Sequence, residues 1–362
     1  MDNVKRITFF IGNMSRFGGT ERVLSIIANG LADRGYRISI ISLWGGGEPF
    51  FEIRNDIPIY WIEELYPGRN YVKEILGIRA ILHREQTQVL VDVDIILCFY
   101  SLLLKCLSRK IYGVSWEHFN YYYHFKKNRL LRKMARYLVG IFAQQLIVIS
   151  DEDKVYYQQN ARLKCKIDRI YNPNPYEGEF IKSKEEKMIF AAGRLTGVKG
   201  FDLLIKSWKM LEEKYPDWQV VIAGAGEDKE SLENRIIGEG LERIHLIGNV
   251  SNIEEYYQKA AFFVLPSRDE GFGMVVLEAM DFAIPVVSFA CKAGPREIVI
   301  DGENGFLVEP GAIEEFSKKM EFLIQENEVR HEMGKKAKDS TARFSKDMIL
   351  DEWEKLLGTI KL

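Results

Sequence analysis

Short, nearly continuous apolar runs recur along the whole chain, separated by amphipathic or polar stretches and often bounded by glycine, proline or asparagine. In the first half the runs at 7–11, 38–43, 57–61, 94–98, 111–115 and 146–149 read as strands. In the second half the same reading applies to 188–192, 219–223, 244–247, 261–265, 285–289 and 305–308. Most are apolar throughout rather than alternating, which predicts parallel strands covered by helices on both faces. Val23, Ile26, Ile27 and Leu31 share one helical face after the first run, and Gly35 ends that helix. The second half repeats the opening: strand, glycine-bearing loop at 193–200, then a helix at 201–214. Between the halves, Asn172-Pro-Asn-Pro175 and the charged stretch 182–187 read as hinge and linker. The fold class is therefore α/β, with two doubly wound, Rossmann-like domains at 1–172 and 173–344. They are expected to face a central cleft, with ligands at the carboxyl ends of the strands.

A length of 362 residues agrees with two domains, and 47% hydrophobic with 28% charged residues is ordinary for a folded chain. The net charge of -2 argues against a protein built for nucleic acid. Its distribution is uneven. From Lys105 to Arg136 nine basic residues are opposed only by Glu117. The stretch 126–138 places Lys126, Lys127, Arg129, Lys133 and Arg136 on one helical arc and Leu130, Leu131, Met134 and Leu138 towards another. It suits either an anionic membrane surface or a surface helix whose apolar arc belongs to the core. The cysteines are scattered without metal spacing, which points to a reducing cytoplasm. The first residues lead into a glycine loop and read as a strand, not a signal peptide. The apolar run 95–104 is about half a membrane span, so no crossing segment is expected.

The chemistry concentrates after the strands. Glu270 and Glu278 flank a turn at Phe272-Gly273-Met274, and a helix starting near Gly273 would aim its free N–H groups at an anion. Eight residues of rise put the glutamates up to ~12 Å apart, too far to share one atom. They suit two grips on an elongated ligand that is negative in the middle, or simply two solvated carboxylates around a helix start. Arg194 and Lys199 lie in the loop at 193–200, as a diphosphate clamp or as exposed charges. Gly18 and Gly19 allow a close backbone approach to an anion, or only a tight turn. Trp116, His118, Phe119 and Tyr121 alternate aromatic and polar character after the run 111–115, a surface suited to sugar rings. Asp92-Val93-Asp94 is the nearest approach to an aspartate metal motif, and it reads better as charges at a strand edge. GxGxxG is absent from the first loop, and neither a P-loop nor a GxSxG elbow occurs.

Together, Gly18-Gly-Thr-Glu-Arg22, Trp116-Glu-His118, Val148-Ile-Ser150, Tyr171-Asn-Pro173, Gly193-Arg194 through Lys199-Gly200, the pair Glu270/Glu278, 288–298 and 301–308 resemble the retaining GT-B glycosyltransferases of family four. That group includes enzymes of bacterial capsule, exopolysaccharide and O-antigen assembly, and the resemblance covers nearly the whole chain. It implies a hexosyltransferase that takes a nucleotide diphosphate sugar, of the UDP class, to a lipid-linked saccharide, with no cofactor and no metal. Glu278 would hold the donor ribose, and Glu270, with backbone near Phe272, Gly273 and Met274, the transferred sugar. Arg194 and Lys199, helped by Gly18 and Gly19, would take the diphosphate. His118 would stand by the reacting centre, and Gly248, Asn249 and Val250 would border the base. Trp116, Phe119 and Tyr121 would face the acceptor, and a last helix within 345–362 would return to the first domain. Such an enzyme is expected to be cytoplasmic and peripheral on the inner face of the cell membrane. Lys292-Ala293 departs from the pair that many polysaccharide-assembly relatives carry before Gly294-Pro295. Rival readings are a non-hydrolysing UDP-sugar epimerase, a GT-B phosphorylase, or a non-catalytic sugar-binding protein on the same scaffold.

Overall fold

The computed structural model describes residues 5–68, 70–107, 111–122, 128–176 and 185–361. The chain divides into two compact units, Met1–Pro175 with Phe344–Leu362, and Tyr176–Arg343. Tyr171 packs edge-on against Phe344, and the Asn174 N–H donates to the Phe344 carbonyl, so 173–175 stay with the first unit. Tyr176 instead packs edge-on against Phe282. The division thus falls three residues beyond the one expected after 172.

The first unit holds a parallel sheet of β1 (Arg6–Asn13), β2 (Arg37–Trp44), β3 (Ile59–Trp61), β4 (Val89–Val93), β5 (Tyr112–Trp116), β6 (Gln145–Val148) and β7 (Lys166–Arg169). Its spatial order is β3-β2-β1-β4-β5-β6-β7. Phe9, Phe10, Ile40, Ile41, Val89 and Val91 are fully buried, as expected for strands covered on both faces. The second unit holds β8 (Met188–Ala192), β9 (Gln219–Ala223), β10 (Ile244–Gly248), β11 (Phe262–Leu265), β12 (Val286–Phe289) and β13 (Gly305–Val308), in the order β10-β9-β8-β11-β12-β13. Each order reverses once, between β1 and β4 and between β8 and β11. At such a switch point the connections from two neighbouring strands run on to opposite faces of the sheet, and ligands of such folds bind beyond the carboxyl ends.

Two readings of the apolar pattern need correction. The run 94–98 is not a strand. The strand is Val89–Val93, and Asp94, at φ 126°, accepts the Ile96 N–H and starts a helical turn that continues as Cys98–Leu107. A short apolar run fits a buried helix as well as a buried strand, and here the aspartate cap decides. The strand β7 gave no apolar signal because it lies at the sheet edge with Lys166, Asp168 and Arg169.

The helix Lys346–Gly358 completes the first unit. It buries Ile349, Leu350, Trp353, Leu356 and Leu357, and Trp353 meets Phe9 at 6.1 Å and Trp116 at 4.9 Å between ring centroids. Arg34 at the end of helix Gly19–Asp33 bonds Asp351 at 2.6 Å and Glu354 at 2.7 Å, which fixes the register of that contact.

Candidate active site

In the second unit, the loops leaving β8 and β11 are riveted together at the switch point. The Arg268 N–H donates to the Val198 carbonyl, its guanidinium donates to the Gly197 carbonyl at 2.7 Å, and Asp202 receives two further bonds at 2.7 and 2.8 Å. Gly200 lets the loops touch. It sits at φ 68°, and a Cβ there would lie 1.9 Å from the Pro266 carbonyl oxygen.

This arrangement brings Lys199 Nζ to 2.6 Å from Glu270 Oε1, and the Ser267 hydroxyl to 2.6 Å from the same oxygen. Glu270 is only 6% exposed and Glu278 only 5%. Neither is a solvated surface carboxylate. A buried charge is costly unless paired or hydrogen-bonded, and each glutamate has such a partner. That of Glu278 is the Tyr257 hydroxyl, 2.9 Å from Oε2. Arg194 is exposed on the same loop as Lys199, and no ion pair engages it among the described residues.

Between the glutamates, Phe272 is buried and Gly273 takes φ 92°, ψ 51° as the residue before helix Met274–Asp281. No side chain caps that helix and its first turn carries no acid, so its positive end is not neutralised from within. Two grips and an anion-favouring helix start thus succeed one another along this edge of the second unit. Gly248, at φ 73°, accepts the Gly224 N–H at 2.7 Å, which places Asn249 and Val250 just beyond the carboxyl end of β10. Asn249 is exposed and Val250 half-buried.

In the first unit, Trp116 is fully buried. It ends β5 packed between the His118 ring at 4.3 Å and Trp353, so it is core and offers no surface to a sugar. Phe119 is half-buried beneath the Arg132 guanidinium, 4.6 Å from its ring centre. Tyr121 is braced by the Tyr157 ring, by Arg136 and by a bond from its N–H to Asp153 at 2.6 Å. Beneath them, Glu117 is wholly buried, accepts the Tyr157 hydroxyl at 3.1 Å, and lies 3.6 Å from Arg132. Burial raises its carboxyl to about 7 against the pull of Arg132, and raises that of Asp153 to about 8. The segment carrying His118 is therefore held by a buried hydrogen-bonding network that no local sequence pattern marks. Tyr123, His124, Lys126 and Lys127 lie outside the described residues.

His118 itself is buried, and its Nε2 has no hydrogen-bond partner among the described residues. Burial pushes its pKa down to about 3, so the ring is neutral near pH 7 and can give or take one hydrogen bond without carrying charge. Gly18 precedes helix Gly19–Asp33 in an extended conformation, and a Cβ on it would lie 2.3 Å from Glu21 Oε2. The carboxylate at that helix start is thus the chain's own. Asp92 is buried and accepts the Ser101 hydroxyl, whereas Asp94 receives the Arg132 guanidinium, so the two aspartates serve separate structural bonds.

Two family models match consecutive parts of the chain. The one described as Glycosyltransferase Family 4 matches residues 17–174, and the one described as Glycosyl transferases group 1 matches 176–340. An uncharacterized glycosyltransferase of Haemophilus influenzae is 35% identical over 98% of this chain and 100% of its own length. A GalNAc-alpha-(1->4)-GalNAc-alpha-(1->3)-diNAcBac-PP-undecaprenol alpha-1,4-N-acetyl-D-galactosaminyltransferase of Campylobacter jejuni is 27% identical over 98% of this chain and 99% of its own. Among solved structures, Anabaena HepE in complex with UDP and glucose superposes with a TM-score of 0.80 at 20% identity, covering 98% of this chain and 100% of that one.

Proposed function

The chain belongs to the glycosyltransferases, a family 4 domain followed by a group 1 domain on the GT-B fold, and from that premise we propose that it transfers a hexose from a UDP-sugar to a lipid-linked saccharide during assembly of a cell-surface polysaccharide. In this reading transfer proceeds with retention and without metal. The bond from C1 to the distal phosphate oxygen breaks, the acceptor hydroxyl oxygen bonds to C1, and its proton passes to the departing phosphate. The observation that carries the reading is the pair of buried carboxylates, Glu270 and Glu278, on either side of an uncapped helix start. A nucleotide diphosphate sugar has polyols at both ends and anions between, which is the complementary order.

Glu278 is assigned the ribose, and Glu270 the transferred sugar. Arg194, Lys199 and the N–H groups near Gly273 and Met274 are assigned the diphosphate, and Gly248, Asn249 and Val250 the base. His118 is assigned a hydrogen bond to the donor sugar. Gly18 and Gly19 keep a role only if Glu21 yields its place at the helix start. On the acceptor side Phe119 and Tyr121 remain, and Trp116 drops out. UDP in the HepE structure and the undecaprenol-linked saccharide in the Campylobacter enzyme's name support the choice of donor and acceptor class. A melting-temperature screen against UDP-, GDP-, ADP- and dTDP-sugars tests the donor: UDP-sugars should stabilise most, and stabilisation by GDP-sugars alone would reject the assignment. Turnover should persist in EDTA, and loss restored by Mg²⁺ would show metal-dependent chemistry. Conversion of a UDP-sugar with no acceptor present would favour an epimerase.

The acceptor's lipid gives the helix Arg129–Phe142 a purpose. Its buried face is Arg132, Ala135, Val139 and Gly140, so Arg132 is an internal ion pair and Arg136, above Tyr121, belongs to the packing and not to a basic surface. The outward arc carries Leu130 at 72% exposure, Met134 at 49%, Leu131, Tyr137 and Phe142, with Arg129 and Lys133 along one edge. Of the expected apolar arc, Leu130, Leu131 and Met134 thus face outward while Leu138 packs against the core, and the outward part has the character of a helix that lies in a headgroup layer. Among the described residues no helix is long and apolar enough to cross a membrane. We expect flotation with anionic vesicles and not zwitterionic ones, weakened by salt. The variant Arg129→Gln/Leu130→Ser/Lys133→Gln/Met134→Ser should stay in the dense fraction yet keep transfer to a soluble acceptor. Unchanged flotation of that variant would exclude this helix as the contact.

A further inference from the structure

Tyr257 is assigned no part in binding the donor, yet its hydroxyl is bonded to the carboxylate assigned to the ribose. It lies on the helix Ile253–Lys259, 21 residues from Glu278, and its ring is fully buried. Phe190 of β8 stands edge-on to it at 5.2 Å, Phe263 of β11 is tilted at 5.9 Å, and Phe282 is stacked at 5.4 Å with 23° between the planes. These three phenylalanines are themselves at most 2% exposed. A ring enclosed by three others cannot change rotamer without displacing them, because the interior is close-packed. Its hydroxyl is therefore delivered to one place, and Glu278 Oε2 is 2.9 Å from it.

Packing alone would be served by a fourth phenylalanine. A buried phenol is costly unless its hydroxyl is bonded, and what the hydroxyl contributes is a bond donated to the carboxylate. Glutamate has three side-chain torsions, and on a helix its carboxylate otherwise has several staggered settings. A rigid donor on one oxygen selects a single setting. Glu270 shows the same pattern with a different residue, since the buried Ser267 hydroxyl lies 2.6 Å from its Oε1. Each of the two grips thus has a hydroxyl anchor fixed in the core.

We propose that Tyr257 is a positioning residue for donor binding: it orients Glu278 so that the carboxylate meets the ribose hydroxyls of the nucleotide. The proposal rests on the assignment of Glu278 to the ribose, and the test separates the two. UDP and 2′,3′-dideoxy-UDP are titrated into the wild type, Tyr257→Phe, Glu278→Gln and the double variant. Hydrogen bonds to a charged group set the scale, so the wild type should prefer UDP over the dideoxy nucleotide by about 10- to 100-fold. Tyr257→Phe should lose most of that preference by weakening UDP about 10-fold while leaving dideoxy-UDP within about 2-fold. In the Glu278→Gln background Tyr257→Phe should have no further effect on UDP, because the residue it orients has already lost its charge. Phenylalanine fits the same aromatic enclosure, and a single cooperative melting transition, lowered by the loss of one bond to a buried carboxylate, shows that the variant is folded. Equal weakening of both nucleotides by Tyr257→Phe, or a full additional loss in the Glu278→Gln background, would make the tyrosine a packing residue and overturn the proposal. No preference for UDP in the wild type, or an undiminished one in Glu278→Gln, would instead refute the ribose assignment on which it depends.

Discussion

Lys199→Ala should lower kcat/KM by about 100-fold, and Arg194→Ala by about 10-fold, with most of each loss in kcat. A hydrogen bond to a charged group contributes roughly 1.5–3 kcal/mol, and about 1.4 kcal/mol is a factor of ten in rate. The loss belongs in kcat because negative charge on the diphosphate grows as the sugar departs, so the cations bind the transition state more tightly than the donor. The two positions differ in what else they hold. Lys199 is 2.6 Å from Glu270, so its removal takes this cation from a buried carboxylate, and the second unit should become measurably less stable. Arg194 is exposed with no ion pair among the described residues, so its replacement should leave stability unchanged. Activity near wild type in both variants would remove the clamp assignment, and an equal loss of stability in both would contradict the geometry. The kinetic constants and melting temperatures of the two purified variants decide it.

Glu278→Ala should weaken UDP binding by about 10- to 100-fold, the scale of losing charge-assisted bonds to a ribose. Glu270→Gln should behave in the opposite way towards the nucleotide. It keeps the acceptor oxygen for Ser267 but releases Lys199 from a charge partner, so UDP should bind as tightly as in the wild type or more so. Transfer should nonetheless fall by about 100-fold, because the hexose loses its carboxylate. Calorimetry with UDP alone, beside a transfer assay, separates the two effects. Equal loss of UDP affinity at both positions would mean that the glutamates do not grip different ends of one donor.

Burial on both faces made the central strands visible. Met188–Ala192 and, after its first residue, Gln219–Ala223 are apolar because helices cover each side, so a bare apolar run sufficed. The same cue failed at 94–98, where a buried helix is equally apolar, and at Lys166–Arg169, where an edge strand leaves half its residues in water. Within the site, polar residues close behind a strand were legible: Arg194 and Lys199 after β8, Glu270 after β11. Pairs made by tertiary approach were not. Lys199 meets Glu270 from 71 residues away, and Tyr257 meets Glu278 across a helix and a strand. Neither partner has a local pattern that marks it. Trp116 shows the converse: alternation with polar residues suggested a surface, whereas a tryptophan from the far end of the chain covers it.

Covering by the last helix also constrains how the protein is made. Phe9 and Trp116 leave the ribosome long before Trp353, and all of 176–343 must be translated in between. At about 5–20 residues per second that interval is roughly 10–30 s. During it the first unit carries an apolar surface where the helix Lys346–Gly358 will dock. The second unit is continuous in sequence and can close as it emerges, so the order of maturation runs against the order of synthesis. A nascent chain halted before residue 346 would therefore hold a finished second unit and an unfinished first one, a natural client for chaperones until the last helix arrives.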